Sequence, residues 1–88
     1  MGNELARIAA DATMLGAVEY ARAKGAPVDT TIAQLSALCR QACLDALPGA
    51  MRDAKEAFAV PGMEQIGEMT FLASMKLAGI AAAKSLYG

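Results

Sequence analysis

The chain contains no histidine and no tryptophan, and its aromatic residues are two tyrosines and two phenylalanines. Without histidine, the side chain used most often as a general base and as a metal ligand is missing. The sequence also has no glycine-rich phosphate loop, and no serine, cysteine or lysine stands beside an evident activating base. We therefore expect a protein that is not an enzyme, with no catalytic residue, no cofactor and no metal site.

Neither sign of charge dominates, since eight basic and nine acidic residues give a net charge of -1. Such a chain has no overall field that would attract a phosphate backbone or an anionic membrane, so nucleic acid is not expected as a partner. Residues 1–10 already include Glu4 and Arg7, and no unbroken apolar run of the kind found in secretion signals follows. The expected location is the cytoplasm.

The chain has only two cysteines, Cys39 and Cys43. They lie four residues apart in a segment whose pattern predicts a helix. A disulfide at this spacing would distort the helix, and a metal site would need further ligands. We expect both to be small buried apolar residues, and reduced thiols suit the cytoplasm.

Apolar residues nevertheless make up 56% of the chain, and alanine supplies many of them. No strand pattern occurs, so residues 1–88 predict one all-α domain, a small bundle of three to four helices. A domain of this size buries only about 60% of the surface of its unfolded chain. Contacts between subunits commonly support small folds, so we expect a homodimer.

Capping and breaking residues set the predicted helix ends. The first helix should run from a cap at Asn3 to about Lys24, before Gly25 and Pro27. The second should begin at residues 29–31, where Asp and Thr side chains offer cap oxygens, and end at residue 47.

Pro48 and Gly49 then predict a break, followed by a short connecting helix over residues 50–59. The alternative is that the second helix continues through a kink at Pro48. The last helix should begin near Pro61, which suits a first helical position, and end at about Leu86.

The first and last helices are apolar on more than one side. On the first, one apolar face contains Leu5, Ile8, Ala12 and Leu15, and a smoother one is formed by alanines. On the last, an apolar seam with coiled-coil spacing contains Met63, Ile66, Thr70, Ala73, Leu77 and Ile80. Beside this seam, small residues recur every four positions and would let two helix backbones approach closely.

We therefore expect a partner or dimer interface on these two helices. Its candidate residues are Ala6, Ala10, Ala17, Ala21, Met69, Ser74, Met75, Ala78 and Ala82. The pattern leaves open which of the two helices forms a dimer seam. A membrane span is not expected, because the apolar run is shorter than about 20 residues and Lys76 interrupts it.

Together these features predict a small protein-binding module, a regulator or inhibitor that acts through helix–helix contacts. An alanine-rich chain of this size also suits a bacterial or phage accessory protein. One alternative is a small DNA-associated transcriptional regulator, with Arg52 and Lys55 facing phosphates, although Asp53 and Glu56 offset those charges. The other is a membrane-surface or assembly subunit.

Overall fold

Three long helices account for most of the chain. The structure is a computed structural model that describes the backbone of residues 2–88 and the side chains of residues 4–27 and 33–88. Within those residues it contains no strand and three helices, α1 (Gly2–Ala23), α2 (Val28–Phe58) and α3 (Glu64–Tyr87). The all-α prediction is confirmed. The caps predicted at Asn3 and at residues 29–31 lie outside the described side chains.

The first helix ends at a turn that contains Gly25, as the sequence predicts. Gly25 has a φ of 84°, a left-handed conformation that costs glycine little. The amide of Ala26 donates to the carbonyl of Ala21, and the amide of Gly25 donates to that of Arg22. This is the Schellman arrangement, which satisfies carbonyls at a helix end.

The second turn corrects the predicted start of the last helix. Gly62 has a φ of 85°, so the backbone cannot be helical there, and α3 begins at Glu64 rather than near Pro61. Pro61 therefore belongs to the turn that joins α2 to α3.

The predicted end of the second helix at Leu47 is also wrong, because α2 continues through Pro48 to Phe58. Of the two alternatives, the structure shows the continuous helix. A proline inside a helix removes one backbone hydrogen bond and costs about 3 kcal/mol. Packing outweighs this cost, since Cys43 before the proline and Ala50 and Ala54 after it all belong to one buried cluster with α3.

Helix α3 holds the bundle together. The contacts of α3 with α1 and with α2 are extensive, whereas α1 and α2 touch each other least. A single row of α3 faces inward, with its members spaced four residues apart: Gly67, Phe71, Met75, Gly79 and Ala83. The inward face of α3 therefore differs from the predicted seam.

Small residues bring α1 and α3 close together. The buried row of α1 consists of Ala9, Thr13, Ala17 and Ala21. The larger Ile8 and Leu15, which the sequence grouped on an apolar face, are 37% and 54% exposed. These larger side chains are excluded because the backbones of α1 and α3 lie so close together that a Cβ added at Gly16 or Gly79 would collide with backbone atoms of the facing helix. Only small side chains fit between backbones at that separation.

Two polar contacts fix the helices at their margins. Lys76 Nζ lies 2.9 Å from Glu19 Oε2, and both side chains are partly exposed. The hydroxyl of Tyr87 donates to Gln34 Oε1 at 2.7 Å, which ties the end of α3 to α2. The ion pair adds little stability, since exposed ion pairs contribute about 0–1 kcal/mol.

Candidate interaction surface

The side of α3 that points away from the bundle is apolar. A second row of residues runs along the helix, displaced by two positions from the inward residues. Every member of this second row is exposed. We call it the outer row: Gln65, Met69, Ala73, Leu77, Ala81 and Ser85. Met69 and Leu77 are 63% and 64% exposed, the largest values among the exposed large apolar residues of the described chain. The outer row has no charged member.

The outward rows of the other helices are different. On α1 the corresponding positions are Arg7, Asp11, Leu15 and Glu19, so Leu15 stands alone among charges. The exposed side of α2 carries Gln41, Asp45, Arg52 and Glu56, and Gln41 Nε2 donates to Asp45 Oδ1 at 2.8 Å. Beside these polar residues, α2 exposes three large apolar side chains, Leu44, Met51 and Phe58, by 59%, 41% and 46%. Single exposed apolar residues are normal on a protein surface, whereas several large ones close together make a surface a candidate for interaction.

The charged residues of α3 lie near its two ends and beside α1. Glu64 and Glu68 are in the first two turns and Lys84 is in the last turn, so α3 is negative at its N-terminal end and positive at its C-terminal end. Lys76 lies on the side that faces α1, where it pairs with Glu19. Ile66, also on α3, is 47% exposed.

The predicted interface residues are divided by the fold. Ala17, Ala21 and Met75 are fully buried against the chain's own helices. Because they are covered, they present no surface to a partner in this arrangement. Met69 lies in the outer row, whereas Ser74, Ala78 and Ala82 are partly buried on the flank opposite Lys76.

Ala6 and Ala10 are exposed on a shallow groove between α1 and α2. This groove has a volume of about 310 Å³, and its other lining residues are Met14, Ser36, Cys39, Arg40, Cys43, Leu44 and Leu47. Both thiols are free and buried, as the sequence predicts. Burial raises the pKa of the Cys39 thiol, and the neighbouring Cys43 raises it further. A thiol held neutral in this way is a poor nucleophile.

A second groove lies at the end of the bundle where α1 begins and α2 ends. It has a volume of about 280 Å³ and is almost wholly apolar. Its lining residues are Leu5, Ile8, Met51, Ala54, Lys55, Phe58, Glu68, Phe71 and Leu72. Aromatic and methionine side chains of this kind fit apolar groups of varied shape.

The outer row was only partly anticipated by the sequence. The predicted seam includes Ala73 and Leu77, which belong to this row, and Ile66 on its rim. Its coiled-coil spacing predicts a helix face for packing, but the bundle packs through the inward row instead, and Ile66 and Leu77 of the seam are 47% and 64% exposed. Gln65, Ala81 and Ser85 gave no such signal, because polar and alanine residues contribute little to an apolar pattern.

Two further features of the described residues bear on chemistry and location. No group of three or more histidine, cysteine, aspartate or glutamate side chains is placed to hold a metal ion there. By length and composition alone, α3 could cross a membrane, with a mean hydropathy of 1.2 over its most apolar 18 residues, of which 28% are buried in the bundle. Core helices of soluble proteins meet the same criterion.

Comparison with known proteins adds no relative. No protein-family model, curated protein or solved structure matches this chain.

Proposed function

We propose that this chain is a small non-enzymatic protein-binding module, a cytoplasmic regulator or inhibitor that acts through helix–helix contacts. The observation that carries the proposal is the outer row of α3. Met69 and Leu77 are more than half exposed, on a helix whose inward row is already buried in the bundle. Covering such side chains with another helix is worth roughly 25 cal/mol for each Å² of apolar surface removed from water.

The charges around the row support a protein partner. Lys76 is the charged residue closest to the middle of α3, and its side chain forms an ion pair with Glu19 of α1. The centre of the row therefore stays apolar while Glu64 and Lys84 stand near its ends. An apolar centre with a polar rim is the usual composition of a protein–protein interface.

Capture from a lysate of the source organism tests this function when it is run with matched variants. Leu77→Lys should abolish capture of any protein that binds the outer row. Leu44→Lys should not, because Leu44 is similarly exposed at 59% but lies on α2. Proteins that both variants retain do not depend on this surface, and a complete absence of proteins lost specifically with Leu77→Lys would contradict the proposal.

A second candidate is a membrane-surface or assembly subunit, and the apolar length of α3 favours it. In that case the outer row would lie in the lipid interface. Flotation with anionic and with neutral vesicles distinguishes the two functions. Recovery of the wild-type chain in the floating fraction, lost in Leu77→Lys, would favour the membrane. Recovery in the bottom fraction with both kinds of vesicle would leave the protein-binding function.

A further inference from the structure

We propose that the groove between α1 and α2 binds one monovalent copper ion, held by the thiolates of Cys39 and Cys43 with the thioether of Met14 as a weaker third ligand. The inference goes beyond the proposed function and does not depend on it, since no residue of α3 lines this groove. It departs from the sequence-based expectation of no metal site. That expectation rested on the further ligands that a metal such as zinc requires, whereas a pair of thiolates suffices for monovalent copper.

The two thiols share one face of a continuous helix. Cys39 and Cys43 are one turn apart in α2, so their Cβ atoms lie about 5–6 Å from each other. At that separation one ion can be held between the two sulfur atoms. Both thiols are free. Burial, and after it the nearby Cys43, raises the pKa of Cys39, as expected for two neighbouring thiols.

A third sulfur belongs to the same groove. Met14 of α1 lines it together with both cysteines, and its side chain packs against the buried cluster that includes Cys39. Thiolates and thioethers are soft ligands, which select monovalent copper. The described residues that line the groove include no carboxylate to favour magnesium or calcium, and the chain has no histidine. The available ligands therefore indicate copper in its monovalent state.

The charge of the groove suits the bound complex. Coordination deprotonates a thiol outright, including one that burial keeps neutral in the free protein. Each S–H bond is replaced by an S–Cu bond, both protons leave to solvent, and the copper stays monovalent. Two thiolates and one cation then carry a single negative charge. Arg40 is the one charged residue among the described residues of the lining, and its guanidinium, which is always protonated, compensates that charge.

The first test is the stoichiometry of binding. Reduced protein is titrated without oxygen with Cu(I), supplied as its acetonitrile complex. Native mass spectrometry counts the copper, and the ultraviolet absorption of copper–thiolate bonds reports the ligands. We expect one Cu(I) for each chain, retained against a weak Cu(I) chelator. No retained copper, or one copper shared between two chains, would overturn the proposal.

Matched variants test the three ligands. Cys39→Ser and Cys43→Ser should each lose stoichiometric binding, because a hydroxyl is a poor ligand for a soft ion. Met14→Leu should keep one copper for each chain with weaker affinity, whereas Met69→Leu, in the outer row, should match the wild-type chain. Circular dichroism shows whether each variant is folded. Binding that survives both serine variants, or equal affinities of the two leucine variants, would contradict the three-sulfur site.

A charge variant tests the role of the guanidinium. Arg40→Gln should weaken Cu(I) binding by about tenfold or more, the range for groups that support the ligands of a metal. Arg40→Lys keeps the charge and should recover most of the affinity. Arg52→Gln, elsewhere on α2, is the control and should bind as the wild-type chain does. An unchanged affinity in Arg40→Gln would show that the bound complex is not compensated by this residue and would count against the site.

The last test concerns the class of metal. Cu(I) should raise the thermal midpoint of the folded chain, because a ligand that binds the native state stabilises it. Zn²⁺ should not, since two thiolates and a thioether do not complete its tetrahedral coordination. Zinc binding as tight as that of Cu(I) would overturn the assignment. Leu77→Lys should bind Cu(I) normally, so failure of copper binding and failure of the protein-binding function are separate results.

Discussion

Gly79 of α3 lies directly against the backbone of Thr13 of α1. A Cβ at residue 79 would overlap the Thr13 carbonyl oxygen and would come within 3.1 Å of the Ala17 amide nitrogen. Thr13 is itself fully buried, and its hydroxyl donates to the carbonyl of Ala9 at 2.8 Å, so its buried side chain is paired. The two helices therefore pack backbone to backbone, and the separation of α1 and α3 is set at this point.

Gly79→Ala should destabilise the protein strongly. The new methyl group can be accommodated only if the helices separate, and such overpacking typically costs about 1–3 kcal/mol or more. Gly49→Ala is the matched control, because the nearest atom to a Cβ there is the end of the Arg52 side chain at 3.8 Å. It should be neutral or stabilise by about 0.5–1 kcal/mol, as expected for alanine in a helix. Urea denaturation followed by circular dichroism measures both, and equal midpoints would show that the crossing is not close.

Met75→Ala tests which row of α3 is the core. Met75 is fully buried at the centre of one core cluster, and truncating such a side chain costs about 2–5 kcal/mol. Leu44→Ala removes a comparable volume from an exposed position of α2 and should change stability by less than about 0.5 kcal/mol. Thermal and urea unfolding of the two variants give the comparison. A small effect at Met75 would mean that α3 is rotated about its axis.

Pro48→Ala should stabilise the protein by about 1–2 kcal/mol, because it restores a backbone donor inside a continuous helix. The gain is smaller than the full helix cost of proline, since the unfolded chain also becomes more flexible. Pro61→Ala is the control in the turn before α3 and should be neutral or slightly destabilising. Hydrogen exchange should show protection on both sides of residue 48. If Pro48→Ala lowers stability as Pro61→Ala does, residues 50–59 form a separate helix.

The Cys39 thiol should make stability depend on pH in the alkaline range. An unfolded thiol titrates near pH 8.5, whereas burial, together with Cys43, raises the pKa of Cys39 in the folded protein. The folded state thus holds the proton more tightly. This contribution is fully present below the unfolded pKa and is lost as the pH rises through the raised folded pKa. Urea midpoints at about pH 7 and about pH 9.5 should fall more for the wild-type chain than for Cys39→Ala. Equal falls would show that the thiol is not desolvated.

The sequence predicted the apolar faces of the last helix but not which of them is buried. Patterns on the last helix indicated both a seam and a stripe of small residues, and both exist as faces of α3. What the pattern could not decide was which face the bundle would use. Ser74, Ala78 and Ala82 are only partly buried, Met75 from the same candidate set is fully buried, and Leu77 from the seam is in solvent. A helix that is apolar on several sides has no preferred inward direction of its own.

The sequence by itself determined the all-α class, the turn at Gly25 and the burial of the two cysteines, because these depend on local backbone conformation and on side chains with few alternatives. Only the tertiary structure decided that α2 runs through Pro48 and that the alanine and glycine row of α1 and α3 forms the core while Leu15 and Leu77 face outward. The physical reason is that both outcomes depend on contacts between distant segments. The close approach of Gly16 and Gly79 to the facing backbones admits only small side chains, and the larger apolar residues are left on the surface, where another helix can cover them.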